Sequence, residues 1–359
     1  MDIVFYSSFA CICFFALKFY IKIATKFNIV DKPDERRNHV GIVARGGGFV
    51  VLLCSVSFYF LYSNVFSWQI TGLLLICLAL STIFFIEDIK GLSLKIRLVV
   101  QSVAVVFGIY LLRENIANVM LFIPFWLKVI AIFVGWIWYI NLYNFMDGID
   151  GITAMQTSSI CVYILIILSF VSTHKYIEAS SNIIDSEVVV SIDDSPTQNL
   201  LIAKQWTADN LINYSPFIKA LLVAIAIFFY FNKTPAKIFI GDSGSIGLGF
   251  IMGALLIKFG CEYSILAAFC ITMYYIADST ITVVWRIYDR EKIWTPHLRH
   301  FFTKAKKSGL SAIKICIILT ILNIILGCLG YFIVVYCYYY SLFFLAFFCV
   351  GGVLLYFNK

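Results

Sequence analysis

Apolar runs of bilayer-spanning length follow one another along almost the whole chain, and this constrains the fold more than any other feature. A spanning helix needs about 20 mainly apolar residues. Such runs lie near 3–22, 47–63, 70–86, 98–112, 119–140, 152–172, 217–231, 246–259, 264–285, 311–333 and 340–357. With 62% hydrophobic and 13% charged residues, the chain cannot be a water-soluble globule with a polar surface. The expected fold class is an all-α polytopic integral membrane protein of about 10 or 11 transmembrane helices, forming one membrane-embedded domain over 1–359. Several runs are near 15 residues, so some helices are expected to thin the bilayer locally or stop below its far face. The run at 3–22 has no basic leader and no small-residue cleavage site, and reads as a retained helix. Eleven cysteines are scattered through the apolar runs without the paired spacing of a zinc site, and read as small buried hydrophobes.

The basic residues fall on alternate loops. One set carries Lys26, Lys32, Arg36, Arg37 and Arg45; Lys90, Lys95 and Arg97; Lys233 and Lys237; and Arg286, Arg290, Lys292, Arg299, Lys304, Lys306 and Lys307. The positive-inside rule makes these loops cytoplasmic, with the N-terminus outside and, for an odd number of spans, the C-terminus inside. Every polar motif then lies on the cytoplasmic side, which implies a single active site at that face. The polar segment 174–215 falls on the outer side and reads as a surface loop or a contact for another envelope protein.

Acids within or beside apolar segments are costly, about 2.5 to 3.5 kcal/mol on insertion scales, so they point to function. The sequence NLYNFMDGIDG at 141–151 places Asn141, Asn144, Asp147 and Asp150 together, with no Lys or Arg among them. On a helix, Asp147 and Asp150 would share a face, with Gly148 and Gly151 leaving room for a ligand or metal. Glu87 and Asp88 end another apolar run; adjacent acids suit a hard cation, and equally a helix cap or a salt bridge to Lys90. Asp242 stands between glycines in IFIGDSGS, at 238–245, as a site residue or a helix N-cap. Arg45 followed by Gly46, Gly47 and Gly48 can hold an anion on a helix N-terminus or permit tight helix packing. His297, Arg299 and His300 can form a cationic wall for a diphosphate, or be ordinary members of a basic loop.

In this order, from Asp31 to His300, the motifs resemble the polyprenyl-phosphate N-acetylhexosamine-1-phosphate transferases, glycosyltransferase family 4. The family's D-x-P-x-x-R-x-x-H and P-R-G-G-G element stands as Asp31, Pro33, Arg36, His39 and Arg45 to Gly48, with Ala44 in place of the usual proline. Its acid pair stands as Glu87 and Asp88, with glutamate where aspartate is commoner, and its final element stands as His297 and His300, lacking an adjacent extra histidine. The forms NLYNFMDGIDG and His-x-x-His are closer to the branch that starts O-antigen chains than to the peptidoglycan branch.

The resemblance implies transfer of N-acetylhexosamine-1-phosphate from a UDP-N-acetylhexosamine to undecaprenyl phosphate, with release of UMP. It implies Mg2+, or Mn2+ in its place, on Asp242 and Asp88. Asp88, Glu87, Asp147 and Asp150 would act as catalytic groups, and Asn141, Asn144, Arg45, His297, Arg299 and His300 would bind substrate. The implied setting is the bacterial inner membrane, with membrane lipid and a homodimeric copy as partners and no nucleic acid. Related envelope glycans such as peptidoglycan or teichoic acid are alternative products. A transporter, a lipid-binding protein and a non-catalytic homologue are the competing classes.

Overall fold

The computed structural model describes residues 2–31, 41–63, 67–186, 210–292, 297–336 and 339–359. These form an all-α integral membrane protein, with nine helices long and apolar enough to cross a bilayer among the described residues and a tenth, shorter one at Gly47–Tyr62. In chain order the helices are α1 (Asp2–Lys26), α2 (Gly47–Tyr62), α3 (Trp68–Lys90), α4 (Leu94–Asn118), α5 (Phe125–Met146), α6 (Ile152–Ser186), α7 (Ser215–Asn232), α8 (Gly241–Glu262), α9 (Ile265–Cys270), α10 (Met273–Tyr288), α11 (Phe301–Lys307), α12 (Ala312–Tyr336) and α13 (Tyr339–Phe357).

Helix α8 is the axis of the bundle. Almost every residue along it is buried, and α2, α3 and α5 pack around it. A helix apolar on all sides belongs in the middle of an assembly. The outer helices instead turn apolar side chains such as Phe107, Ile130, Ile324 and Phe348 outward, as helices facing lipid do. Small residues set the closest approach. A Cβ on Gly48 would come within 2.1 Å of the Gly244 Cα, so α2 and α8 touch backbone to backbone at their first turns. Hydrogen bonds from Ser81 Oγ to the Ser243 carbonyl, at 2.8 Å, and from Trp136 Nε1 to the Phe250 carbonyl, at 3.0 Å, fix α3 and α5 against the same axis.

Two expectations change. The run at 264–285 is not one spanning helix: it breaks at Ile271 and Thr272 into α9 and α10. Ser264 caps the first piece by accepting from the Ala267 N–H, while Gln156 of α6 donates to the Ile271 carbonyl that the break exposes. The first part of the polar segment read as a loop from residue 174 is helical, because α6 continues to Ser186; residues 187–209 lie outside the described residues.

A two-residue strand pair joins the first loop to the bundle. Strand β1 (Val30–Asp31) pairs antiparallel with β2 (Val43–Ala44), and Ala44 also bridges to Ile238 just before α8. The Phe239 N–H donates to the Ala44 carbonyl at 2.7 Å. The extended chain that delivers Arg45 and the one that delivers Asp242 therefore lie side by side.

Candidate active site

The ends of α3 and α5 and the starts of α2, α4, α6 and α8 meet at one end of the bundle. Asp88 is the junction. Its side chain is fully buried, and its two oxygens accept from the backbone N–H groups of Asp242, at 2.9 Å, and Ser243, at 3.1 Å. The start of α8 is thus capped by a carboxylate from another helix rather than by its own residues, and no local side chain fills that role. Gly241 permits the contact twice over: its φ is +74°, and a Cβ there would stand 2.5 Å from Asp88 Oδ2.

Two arginines cross-link the acids. Arg45 Nε lies 2.9 Å from Asp88 and its terminal nitrogen 3.3 Å from Asp242; Arg97 lies 3.0 Å from Glu87 and 3.4 Å from Asp242. Tyr20 donates to the Arg45 carbonyl at 2.5 Å and fixes the backbone behind it. Burial disfavours the charge on Arg45, but Asp88, Asp242, Glu87 and Asp147 together outweigh this and raise its pKa. Asn144 donates to Asp242 Oδ1 at 3.0 Å and to Ser245 Oγ at 2.8 Å, so Asp242 is oriented from α5 as well.

Asp147 and Asp150 do not share a helix face. Helix α5 stops at Met146 and α6 starts at Ile152, and the residues between them form a turn in which Gly151 has a φ of +87°. Asp147 turns toward the acids, with Oδ1 accepting from Thr153 at 2.6 Å. It keeps part of its surface open, yet the protein packed around it withdraws enough water to push its pKa up to about 7; the Thr153 hydrogen bond opposes this and Asp242 adds to it. Asp150 faces away and accepts from Thr234 at 2.9 Å on the exposed side of the loop. Asn141 lies one turn deeper than Asn144 and donates to Gln101 at 2.8 Å.

The glycine run serves packing rather than anion binding. The N–H groups of Gly47 and Gly48 donate to the Phe239 and Ile240 carbonyls, both at 2.9 Å, which leaves neither for a phosphate. Of the first loop, Pro33, Arg36 and His39 lie outside the described residues. The basic loop does not present three cations. Burial, with the charges of His300, Arg286 and Arg299, lowers the pKa of His297 to about 4, and Arg299 pairs with Asp289 and, at 2.6 Å, with Glu291. His300 is buried and stacks between His297 and Phe302, with Phe302 lying against Gly148.

Residue types alone do not single out several groups that build this pocket. Arg97 reads as an ordinary loop cation until α4 is seen to start beside Asp242. Asn232 is buried and bridges two loops, accepting from the Gly151 N–H and donating to the Ile238 carbonyl, both at 2.8 Å. Its signal in sequence is faint: one amide at the end of an apolar run.

Four carboxylates and two guanidinium groups converge, which leaves an excess of negative charge. Glu87 Oε2 is buried without a hydrogen-bond partner, an orphan that a cation would satisfy. Among the described residues no three potential ligands stand close enough to enclose an ion by themselves. Magnesium fits such a site, since it takes one or two carboxylates and fills its remaining positions with water and substrate phosphate.

Known proteins are similar to this chain over most of its length. A phospho-N-acetylmuramoyl-pentapeptide-transferase of Neisseria gonorrhoeae (strain NCCP11945) is 25% identical over 326 residues, 83% of this chain and 82% of the relative. A probable undecaprenyl-phosphate N-acetylglucosaminyl 1-phosphate transferase of Bacillus subtilis (strain 168) is 22% identical over 306 residues, 81% of this chain and 73% of the relative. The two act on different sugars by name, so this likeness does not separate the branches. The model for glycosyl transferase family 4 matches residues 70–260, a stretch that holds Glu87, Asp88, Asn144, Asp147 and Asp242. With that match over more than half its length and the acid pocket inside it, the chain belongs to glycosyl transferase family 4.

Proposed function

We propose that the protein transfers N-acetylhexosamine-1-phosphate from a UDP-sugar to undecaprenyl phosphate, giving undecaprenyl-diphospho-sugar and UMP. It would do so at the cytoplasmic face of a bacterial inner membrane, as the first membrane step of an O-antigen type polysaccharide. One observation carries the reading: Asp88, Asp147 and Asp242, from three separate segments, converge with Arg45 and Arg97 at one end of a lipid-embedded bundle.

Both reactants are phosphorylated, and like charges repel strongly where water is scarce. Magnesium held at this site would supply positive charge against that repulsion. Asp242 would hold it, with the orphaned Glu87 oxygen in the same cluster. Asp88 keeps Asp242 in place, because its oxygens fix the first turn of α8. Arg45 and Arg97 hold diphosphate oxygens as they now hold carboxylates. The acceptor phosphate has a second pKa near 6 and is largely ionised at pH 7, so no strong base is required. Asp147 Oδ2 takes the remaining proton when the acceptor arrives protonated, a role suited to a carboxyl held at about 7.

An apolar cavity of about 1000 Å³ between α6, α7 and α12 suits the isoprenoid tail. It begins at Ala154 and Phe229, beneath Gly151, and runs toward Phe170 and Tyr331. A long tail then never leaves the bilayer while its phosphate reaches the loop that carries Asp147.

The test is turnover by purified protein against a panel of UDP-amino-sugars, including UDP-N-acetylmuramoyl-pentapeptide, with and without undecaprenyl phosphate. UMP release that requires the polyprenyl phosphate and magnesium supports the proposal. Release of UDP indicates ordinary glycosyl transfer and rejects it. The likeness to a pentapeptide transferase favours one second reading, the same reaction on the larger donor; preference for that donor would move the protein to peptidoglycan synthesis.

A further inference from the structure

Asp278 belongs to none of the motifs, yet among the described residues outside the acid pocket it is the carboxylate with the most partners. It is fully buried on α10, one turn after Tyr274 and one turn before Thr282. Its Oδ2 accepts from the Tyr274 hydroxyl at 2.9 Å and the Phe302 N–H at 3.3 Å. Its Oδ1 accepts from the Phe301 N–H at 3.1 Å and the Thr282 hydroxyl at 3.4 Å, and lies 3.0 Å from His300 Nδ1.

Two backbone bonds suffice to anchor the start of α11, and the contact with His300 adds nothing to that anchor. It does decide the ring's chemistry. A carboxylate only accepts, so Nδ1 carries the hydrogen and Nε2 is the nitrogen left for a ligand. Among the described residues Nε2 has no hydrogen-bond partner. The ring cannot turn freely, because it stacks on His297 at 4.8 Å and on Phe302 at 5.5 Å between centroids. Phe302 lies against Gly148, next to Asp147, which puts the held imidazole one side chain from the acid pocket.

We propose that Asp278 is a positioning residue for His300: it keeps hydrogen on Nδ1 and so presents Nε2 to the phosphorylated reactants. The assignment rests on the reaction proposed above, in which the lone pair on Nε2 accepts a hydrogen bond from a hydroxyl or N–H of the UDP-sugar. The bond from Asp278 holds the ring in one orientation.

The chain has only four histidines, so nitrogen-15 histidine spectra of the whole protein in detergent can be assigned by the signal lost in His300→Gln. The neutral His300 ring is expected to carry hydrogen on Nδ1. In Asp278→Asn the new amide offers its own N–H to the ring, and the hydrogen moves to Nε2. Asp278→Asn and His300→Gln should each lower kcat by about 100-fold or more, with the double variant no slower than His300→Gln and Asp278→Glu partly active. Hydrogen on Nε2 in the unmodified protein, an unchanged tautomer in Asp278→Asn, or losses that multiply in the double variant would overturn the proposal. If Asp278→Asn fails to insert, the spectrum of the unmodified protein still decides. That spectrum needs no substrate, so failure to turn over any UDP-sugar would sink the proposed reaction while the position of the ring hydrogen is still measured independently.

Discussion

The two ends of helix α8 bury charge in opposite ways. At its far end Lys258 is completely enclosed and fully answered: Glu262 lies 3.0 Å away, Gln69 and Asn115 accept at 3.2 and 3.4 Å, and the Tyr214 ring covers it. Glu262 also accepts from the Leu211 N–H, which fixes the return of the chain before α7. At its near end four acids face two arginines, and one buried carboxylate oxygen has no partner. A balanced cluster holds helices together, whereas an unbalanced one waits for a ligand that completes it.

The sharpest way to break that contrast is to neutralise one residue at each end. Asp242→Asn should reduce UMP release by about 1000-fold or more while the thermal midpoint holds or rises, because a like charge has been removed. Loss of folding instead would make the near end structural too. Lys258→Met should do the reverse, lowering stability by about 3 to 5 kcal/mol because Glu262 is left unpaired, with turnover per folded molecule unchanged. Adding Glu262→Gln should restore much of that stability, and a thermal melt of the three variants checks it.

A finer comparison uses pH. The folded-state pKa of Asp147, about 7, lies above the ordinary aspartate value. The native state therefore holds a proton that the unfolded chain has released. Its contribution to stability is complete below about pH 4 and is lost as pH rises through 7. Turnover should climb over that same upper range if the ionised form works. Asp147→Asn should flatten both curves, and an unchanged pH dependence of melting would detach Asp147 from the cluster. The smallest effect is expected at Asp150→Asn, whose Thr234 partner is exposed: under about 1 kcal/mol of stability and only a few-fold in rate.

The sequence makes the membrane class and the convergence of loops legible for a simple reason. Apolar length fixes the spans, and the parity of spans decides which loops share an end. Asp88, Asp147 and Asp242 are readable because acids at the mouths of apolar runs have few structural excuses. The uses of those acids are not readable. Whether Asp88 binds a ligand or caps a helix depends on the first turn of α8, 154 residues away, reaching it at 2.9 Å. Periodicity is equally blind to the break at Ile271 and Thr272, where no proline or glycine interrupts the run. Asp278 stays hidden because a lone acid inside an amphipathic helix looks the same whether it serves packing or a histidine.

The contact between Gly48 and Gly244 has a consequence for how such proteins can drift. Each glycine lies a few residues from a charged group, Arg45 on one chain segment and Asp242 on the other. A single added methyl at either position would wedge the two helices apart and widen the distance between those charges in the same movement. Mutational tolerance should therefore be lowest at two places with no functional group at all, where an alanine would act as a spacer inserted into the jaws of a vice.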